Sequence, residues 1–336
     1  MAIQSIFPLD FHWQTFDPFL FCAYHHDHFP RGNGTLGPAA SLAGRNIGMD
    51  FQIKDGFRMY HGDKVPGFPA HPHRGFETIT IVQKGLVDHA DSLGAAGRYG
   101  QGDVQWLTAG RGIQHSEMFP LVNEEQGNTV LLFQLWLNLP AKNKMAPPNF
   151  LMFWSPQMPR VEEQDAQGRK IRIEITAGDY RQTKALAPPP HSWAADPTNC
   201  VAAWVIDLEA GAEWTLPAAT AGLNRALYFF EGSDAEFAGN RIKVMTGLRL
   251  YSQQDLPIRN GAKATRLLLL QGKPINEPVA QHGPFVMNTR EELLQAFTDY
   301  QRDHFGGWPW ERSDQVFGKR DRFARYIDGS ESTPQA

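Results

Sequence analysis

Short runs in which apolar and polar residues alternate recur along most of the chain. They read TITIV, DVQWLTA, TVLLFQLWLNL, KIRIEITAG, AAWVIDL, RALYFFEG, IKVMTGLRLY and TRLLLLQG. Alternation turns one set of side chains to a core and the other to water, which is the signature of a strand. Glycine and proline punctuate the runs, so the pattern predicts many short strands joined by turns, as in a β-sandwich or barrel. Helical spacing appears only near the end, in NTREELLQAFTDYQRDHF (288–305). Asn288 or Thr289 can cap it, acidic residues fill its first turn, and Leu293, Leu294 and Phe297 mark an apolar face. Gly306–Gly307 is the expected stop. Between QLWLNLP and KIRIEI lies a long segment rich in Pro and Met with little strand pattern. It reads as a crossover between two β domains, at 1–155 and 156–336, because a loop of that length inside one domain is uncommon. The strand–turn–strand stretches ending near Gly85 and Gly232 are weakly alike, which suggests a duplicated domain.

The length of 336 residues and the apolar content of 42% suffice for two cores. A net charge of −4 argues against a direct nucleic-acid partner, which would call for a basic excess. Cys22 and Cys200 match no metal or redox spacing and suit a reducing compartment. MAIQSIFPLDFHWQTF lacks the basic start and apolar run of a secretory leader, and no apolar stretch is long enough to span a membrane. A soluble cytoplasmic protein is expected.

Two pairs of residues carry the chemistry. In a strand, residues two apart share a face, so His71 and His73 aim into one space, and so do His115 and Glu117 in GRGIQHSEMFP. A lone His-x-His arises often by chance; a second pair, with a glutamate that has no business inside a barrel unless paired or ligating, points to a metal site. Imidazole and carboxylate together suit Fe, Mn, Ni, Cu or Zn, and four donors leave positions open for catalysis. Glu77 competes for the acidic place, because it follows His73 by four and would share its strand face. His26 and His28 in HHDHF are a weaker metal candidate, with no partner pair and a loop-like setting. Phe305, Trp308 and Trp310 read as a strip that packs the tail. Gly100, Gly102, Gly110 and Gly112 are hairpin glycines rather than a dinucleotide loop, since no helix follows them.

HPHRGFETITIVQKGLVDHADSLG followed by GQGDVQWLTAGRGIQHSEMFP resembles the pirin family of the cupin superfamily, as do LWLNLPAKNKMAPP and FVMNTREELLQAFTDY. The resemblance covers about residues 64–305; residues 23–62 and the tail after Phe305 exceed it. It implies an all-β fold of two cupin β-barrels (jelly rolls) facing one another, with a C-terminal helix. It implies a metal in the first barrel only, with His71, His73, His115 and Glu117 as ligands. Fe(II) is the expected ion, with Ni, Mn, Cu, Co or Zn as alternatives. Counting across the duplication puts Ala218, Thr220 and Asn260 at the second barrel's equivalent positions, and none is a strong ligand. The activity implied is that of a dioxygenase acting on a small flavonol such as quercetin, with Glu117 as catalytic base. The alternative is a non-enzymatic metal-binding regulator that docks on a protein partner.

Overall fold

The computed structural model describes residues 2–335. The alternating runs are strands, and the helix Arg290–Asp303 is the one α-helix among the described residues. Contacts divide the chain into two compact units, neither of them contiguous. One gathers the residues up to Ala23 with 135–140 and 157–276; the other gathers 24–134, 141–156 and the chain from Glu277 onward. A split at 155/156 would put the N-terminal strand and the C-terminal helix on the other sides. The reason is pairing: Ile3–Pro8 runs antiparallel to Thr246–Leu250, within the later barrel.

In that unit a seven-stranded sheet runs from Ile3–Pro8 to Arg160–Gln164 in space, with a four-stranded sheet beside it built on Glu213–Leu216 and Leu256–Asn260. Ile173, Leu227, Phe229 and Leu269 from the first sheet and Trp214, Phe237 and Ile258 from the second form one apolar core. Asn260 is spent on structure: its Nδ2 donates to the carbonyls of Leu208, Glu209 and Lys263.

The other unit also pairs two sheets. One is ordered Asn149–Phe153, Val104–Thr108, Phe76–Lys84, then Asn128–Asn138 as far as Gln134 and Phe19–Phe29 from Tyr24 onward. The second is ordered Glu331–Ser332, Phe323–Arg325, Ala96–Gly100, Leu86–Asp91, Ile113–Met118, Gly67–His73. HPH and TITIV are therefore not one strand: His71 and His73 end a strand of the second sheet, and Glu77 begins a strand of the first. The break falls at Gly75, whose φ is +87°. A Cβ there would lie 1.9 Å from the Val286 carbonyl oxygen. Lys144 Nζ donates to the same oxygen (3.1 Å) and to Gly75 O (2.9 Å), and burial pushes its pKa down to about 8. Gly75→Ala is expected to cost about 2 kcal/mol or more, since strain and clash add. Thermal unfolding reads it, and an unchanged Tm would remove the close approach from the account.

Thr289 caps the helix in a reciprocal capping box with Glu292. The helix stops at Asp303, with His304 left-handed, before the two glycines are reached. Phe297 packs edge-on against Phe285 (4.9 Å), and Arg74 pairs with Asp299 at 2.8 Å. Leu294 is 60% exposed, so the apolar face is narrower than the spacing suggests. Phe305 does pack, beneath the Arg74 guanidinium, and Trp310 Nε1 donates to Asp91 O. Further along, Phe323–Arg325 adds itself to the free side of Ala96–Gly100. Buried Arg98 binds Asp88 through Nε and Nη2, both at 2.6 Å, and its Nη1 reaches the carbonyls of Gly318 and Arg320.

Candidate metal centre

Three adjacent antiparallel strands build the site: Gly67–His73, Ile113–Met118 and Leu86–Asp91. His71 lies directly opposite His115 in the ladder. Glu117 lies opposite His89, and His115 opposite Asp91. Paired residues share a face, so all these side chains point to one side of the sheet. The imidazoles of His71, His73 and His115 converge, with ring centroids 4.5–4.8 Å apart. Among the described residues these three form the group of potential metal ligands, with ligand atoms all within 4.8 Å of one another.

Glu117 stands beside this group. Its Oε2 is 3.6 Å from His115 Nε2, accepts from Gln134 Nε2 at 2.6 Å, and its Oε1 accepts from Thr80 Oγ1 at 3.2 Å. Glu77 is elsewhere in the barrel wall, opposite Thr108, whose hydroxyl donates to it at 2.6 Å. The strand parity that argued for it ends at Gly75. His26 and His28 lie on a strand, Phe19–Phe29, not in a loop; their rings are 4.7 Å apart, outside the converging group. The buried residues of that strand do different work. Asp27 takes a bidentate pair from Arg58 and the hydroxyl of Tyr60, which is 2.8 Å from His25 Nδ1.

The donor set fits a divalent transition metal. His71 Nδ1–H donates to Pro69 O at 2.9 Å, which leaves the Nε2 lone pair for a ligand. His115 is fully buried, and neither of its ring nitrogens makes a hydrogen bond. Leaving a buried polar group so costs free energy that a bound cation would offset. Burial pushes the His71 pKa down to about 4 and holds His73 and His115 well below their ordinary value, so all three are neutral donors at neutral pH. Burial likewise raises the carboxyl of Glu117, opposed first by its bond to Gln134; a dication would reverse that sign.

A pH dependence follows for the metal-free protein. A histidine whose folded pKa is depressed from 6.5 to about 4 is protonated first in the unfolded chain. Its stability contribution is full above pH 6.5 and is lost as pH falls toward 4, by roughly 3 kcal/mol for His71 alone. Denaturant titrations at pH 7 and 4.5 should show this loss, and it should shrink when His71 and His73 are both alanine. An identical loss in that variant would place the acid sensitivity elsewhere.

Sequence reasoning passed over His89 and Asp91. Both are fully buried, and His89 Nε2 lies 3.2 Å from Asp91 Oδ2. The His89 ring is 5.4 Å from that of His115 and stacks on Phe150. The signal was available as a third i, i+2 pair, in HADS, adjacent in the sheet to the second.

Residues 10–137 match the family model described as Pirin, and residues 203–306 match the Pirin C-terminal cupin domain. This chain belongs to the pirin family. The resemblance carried by HPHRGFET and GRGIQHSEM is thus borne out, and with it the all-β fold of two cupin domains. A Pseudomonas aeruginosa pirin relative, provisionally named a quercetin 2,3-dioxygenase, is 40% identical over 247 residues, which cover 71% of this chain and 80% of the relative. A pirin-like protein of Solanum lycopersicum is 35% identical over 286 residues, covering 83% and 91%. The crystal structure of quercetin 2,3-dioxygenase from Acinetobacter baumannii superposes with a TM-score of 0.71 at 27% identity, covering 91% of this pirin and 99% of that chain. No helix among the described residues is long and apolar enough to cross a membrane.

Proposed function

We propose that this pirin is a metal-dependent dioxygenase acting on a flavonol-type substrate such as quercetin. The observation that carries the reading is the convergence of three neutral imidazoles in a barrel wall, with a buried carboxylate beside them. The names of the Pseudomonas relative and the Acinetobacter structure support the substrate class. His71, His73, His115 and Glu117 would hold one divalent ion, with Fe(II) the first choice. When bound, the metal supplies a Lewis acid that makes a substrate hydroxyl acidic and an open position for dioxygen. The chain's own residues do the rest. Pro69 O fixes the His71 tautomer. Gln134 and Thr80 orient the Glu117 carboxylate. Glu117, so held beside the three imidazoles, takes the proton of the substrate hydroxyl. The second barrel's Ala218, Thr220 and Asn260 supply no comparable donor set, so one ion per chain is proposed.

The test is oxygen uptake and loss of quercetin absorbance in air, with metal-free protein as control. Metal-dependent consumption of both supports the reading. Metal-loaded protein that binds its ion and consumes neither overturns it, and leaves a metal-binding regulator with a protein partner as the remaining role.

A further inference from the structure

A wall of aromatic rings leads away from His71, most of it drawn from the segment 47–68, with His25 and Phe119 also against Phe68. A one-residue bulge separates Phe68 from His71, so these residues three apart share a face, with Phe68 opposite Glu117. The Phe68 ring lies 6.2 Å from that of His71. Beyond it come Tyr60 at 5.0 Å, His61 at 5.7 Å and Phe51 at 6.3 Å. Phe51 and His61 meet edge to face at 4.9 Å. His73, His115 and Glu117 are buried, whereas His71 and Phe68 are only partly so. Phe51 is half-buried and His61 exposed, so partial exposure runs beside this wall as far as His71, with Tyr60 buried behind it.

The loop that carries Phe51 is apolar on its crest. Ile47, Met49 and Ile53 are 40, 59 and 61% exposed. It is nevertheless firmly held. The Arg45 guanidinium lies 3.8 Å over the Phe57 ring and binds Asp50 Oδ2 at 2.9 Å, along with the carbonyls of Phe57 and Lys54. Asp50 Oδ2 also accepts from Met59 N. The loop is thus pinned in place with three large aliphatic side chains at its surface. At its outer end His61 Nδ1–H donates to Gly48 O at 2.7 Å, which leaves Nε2 as an acceptor facing solvent.

We propose that Phe68, Phe51 and His61 form the subsite that selects the substrate, taking the flat multi-ring body of a polyhydroxylated aromatic. The reacting hydroxyl points at the histidine cluster, the ring system packs on Phe68 with its far ring against Phe51, which is inclined 55° to Phe68, and a distal hydroxyl donates to His61 Nε2. The assignment rests on the dioxygenase reading for what is converted, but not for what binds. Ring-on-ring contact rewards a planar substrate and offers little to a single ring that stops short of Phe51. Phe51 is thus a specificity-determining residue well clear of the metal donors.

The experiment is an anaerobic titration of metal-loaded protein with quercetin and with catechol, followed by tryptophan fluorescence. Wild type is compared with Phe51→Leu, which keeps bulk and loses the ring, and with His61→Ala; metal content and Tm are measured alongside. The expected result is quercetin affinity weakened on the order of tenfold in Phe51→Leu, with catechol affinity, metal content and Tm unchanged. Unchanged quercetin affinity in Phe51→Leu overturns the assignment, as does an equal loss for both ligands. Failure of wild type to bind quercetin overturns it as well. Tight anaerobic binding with no turnover in air supports the subsite while removing the dioxygenase reading, so the two fail separately.

Discussion

With His71 and His73 both replaced by alanine, purified pirin should carry no bound metal, against about one ion per chain in the wild type, and its oxygen consumption should fall to that of metal-free protein. The two imidazoles are half of the proposed donor set, and their ligand atoms lie within 4.8 Å of each other and of His115. Loss of even an outer-shell partner commonly costs 10–100-fold in metal affinity, and loss of two direct donors costs far more. Misfolding is not the expected cause. The strand pairs through its backbone, and two alanines remove polar rings, one buried and one partly so, rather than apolar side chains. The metal-free variant should therefore unfold no earlier than metal-free wild type, while only the wild type should gain stability from added ion. Elemental analysis after dialysis decides the matter, and metal content equal to wild type would put the ion at another site.

Glu117→Gln separates two roles that the wild type joins. The substitution keeps the shape and a carbonyl oxygen but removes charge and basicity. Its new amide would face the Gln134 donor, now 2.6 Å away; Gln134 can rotate its own amide to present oxygen instead. If Glu117 were a ligand alone, excess metal would restore activity together with occupancy. As the base, it should leave turnover about 10²–10⁴-fold low even when occupancy is restored. The second pattern is expected. Full activity at full occupancy would exclude Glu117 from proton transfer and turn attention to His89, which faces it across the sheet.

The paired donors were legible because strand geometry is periodic: two residues apart means one face, and the two pairs needed only adjacent strands to meet. What parity could not foresee was where it is interrupted. The turn at Gly75 separates Glu77 from His73, although four residues of sequence put them in phase. The bulge near Pro69 does the reverse, bringing Phe68 into phase with His71 across an odd spacing. Spacing puts Leu294 on the apolar face but does not say how far the neighbouring surface extends, and that side chain is exposed. The assignment of the N-terminal strand to the later barrel depended on a partner more than 200 residues away, and no local pattern encodes such a choice.

The tail strand Phe323–Arg325 occupies the hydrogen-bonding side of Ala96–Gly100 and ends in a short hairpin with Glu331–Ser332. The family match ends at residue 306, so a chain cut after Gly307 would keep every proposed metal donor. It would also present a bare strand margin and uncover Arg98, two of whose carbonyl partners leave with the tail. Unprotected margins of that kind zip onto copies of themselves. The truncated chain should still load metal when dilute, yet precipitate as its concentration rises, at a lower threshold than the uncut chain. Light scattering against concentration would show it. The tail is in this sense a guard against self-association rather than part of the chemistry.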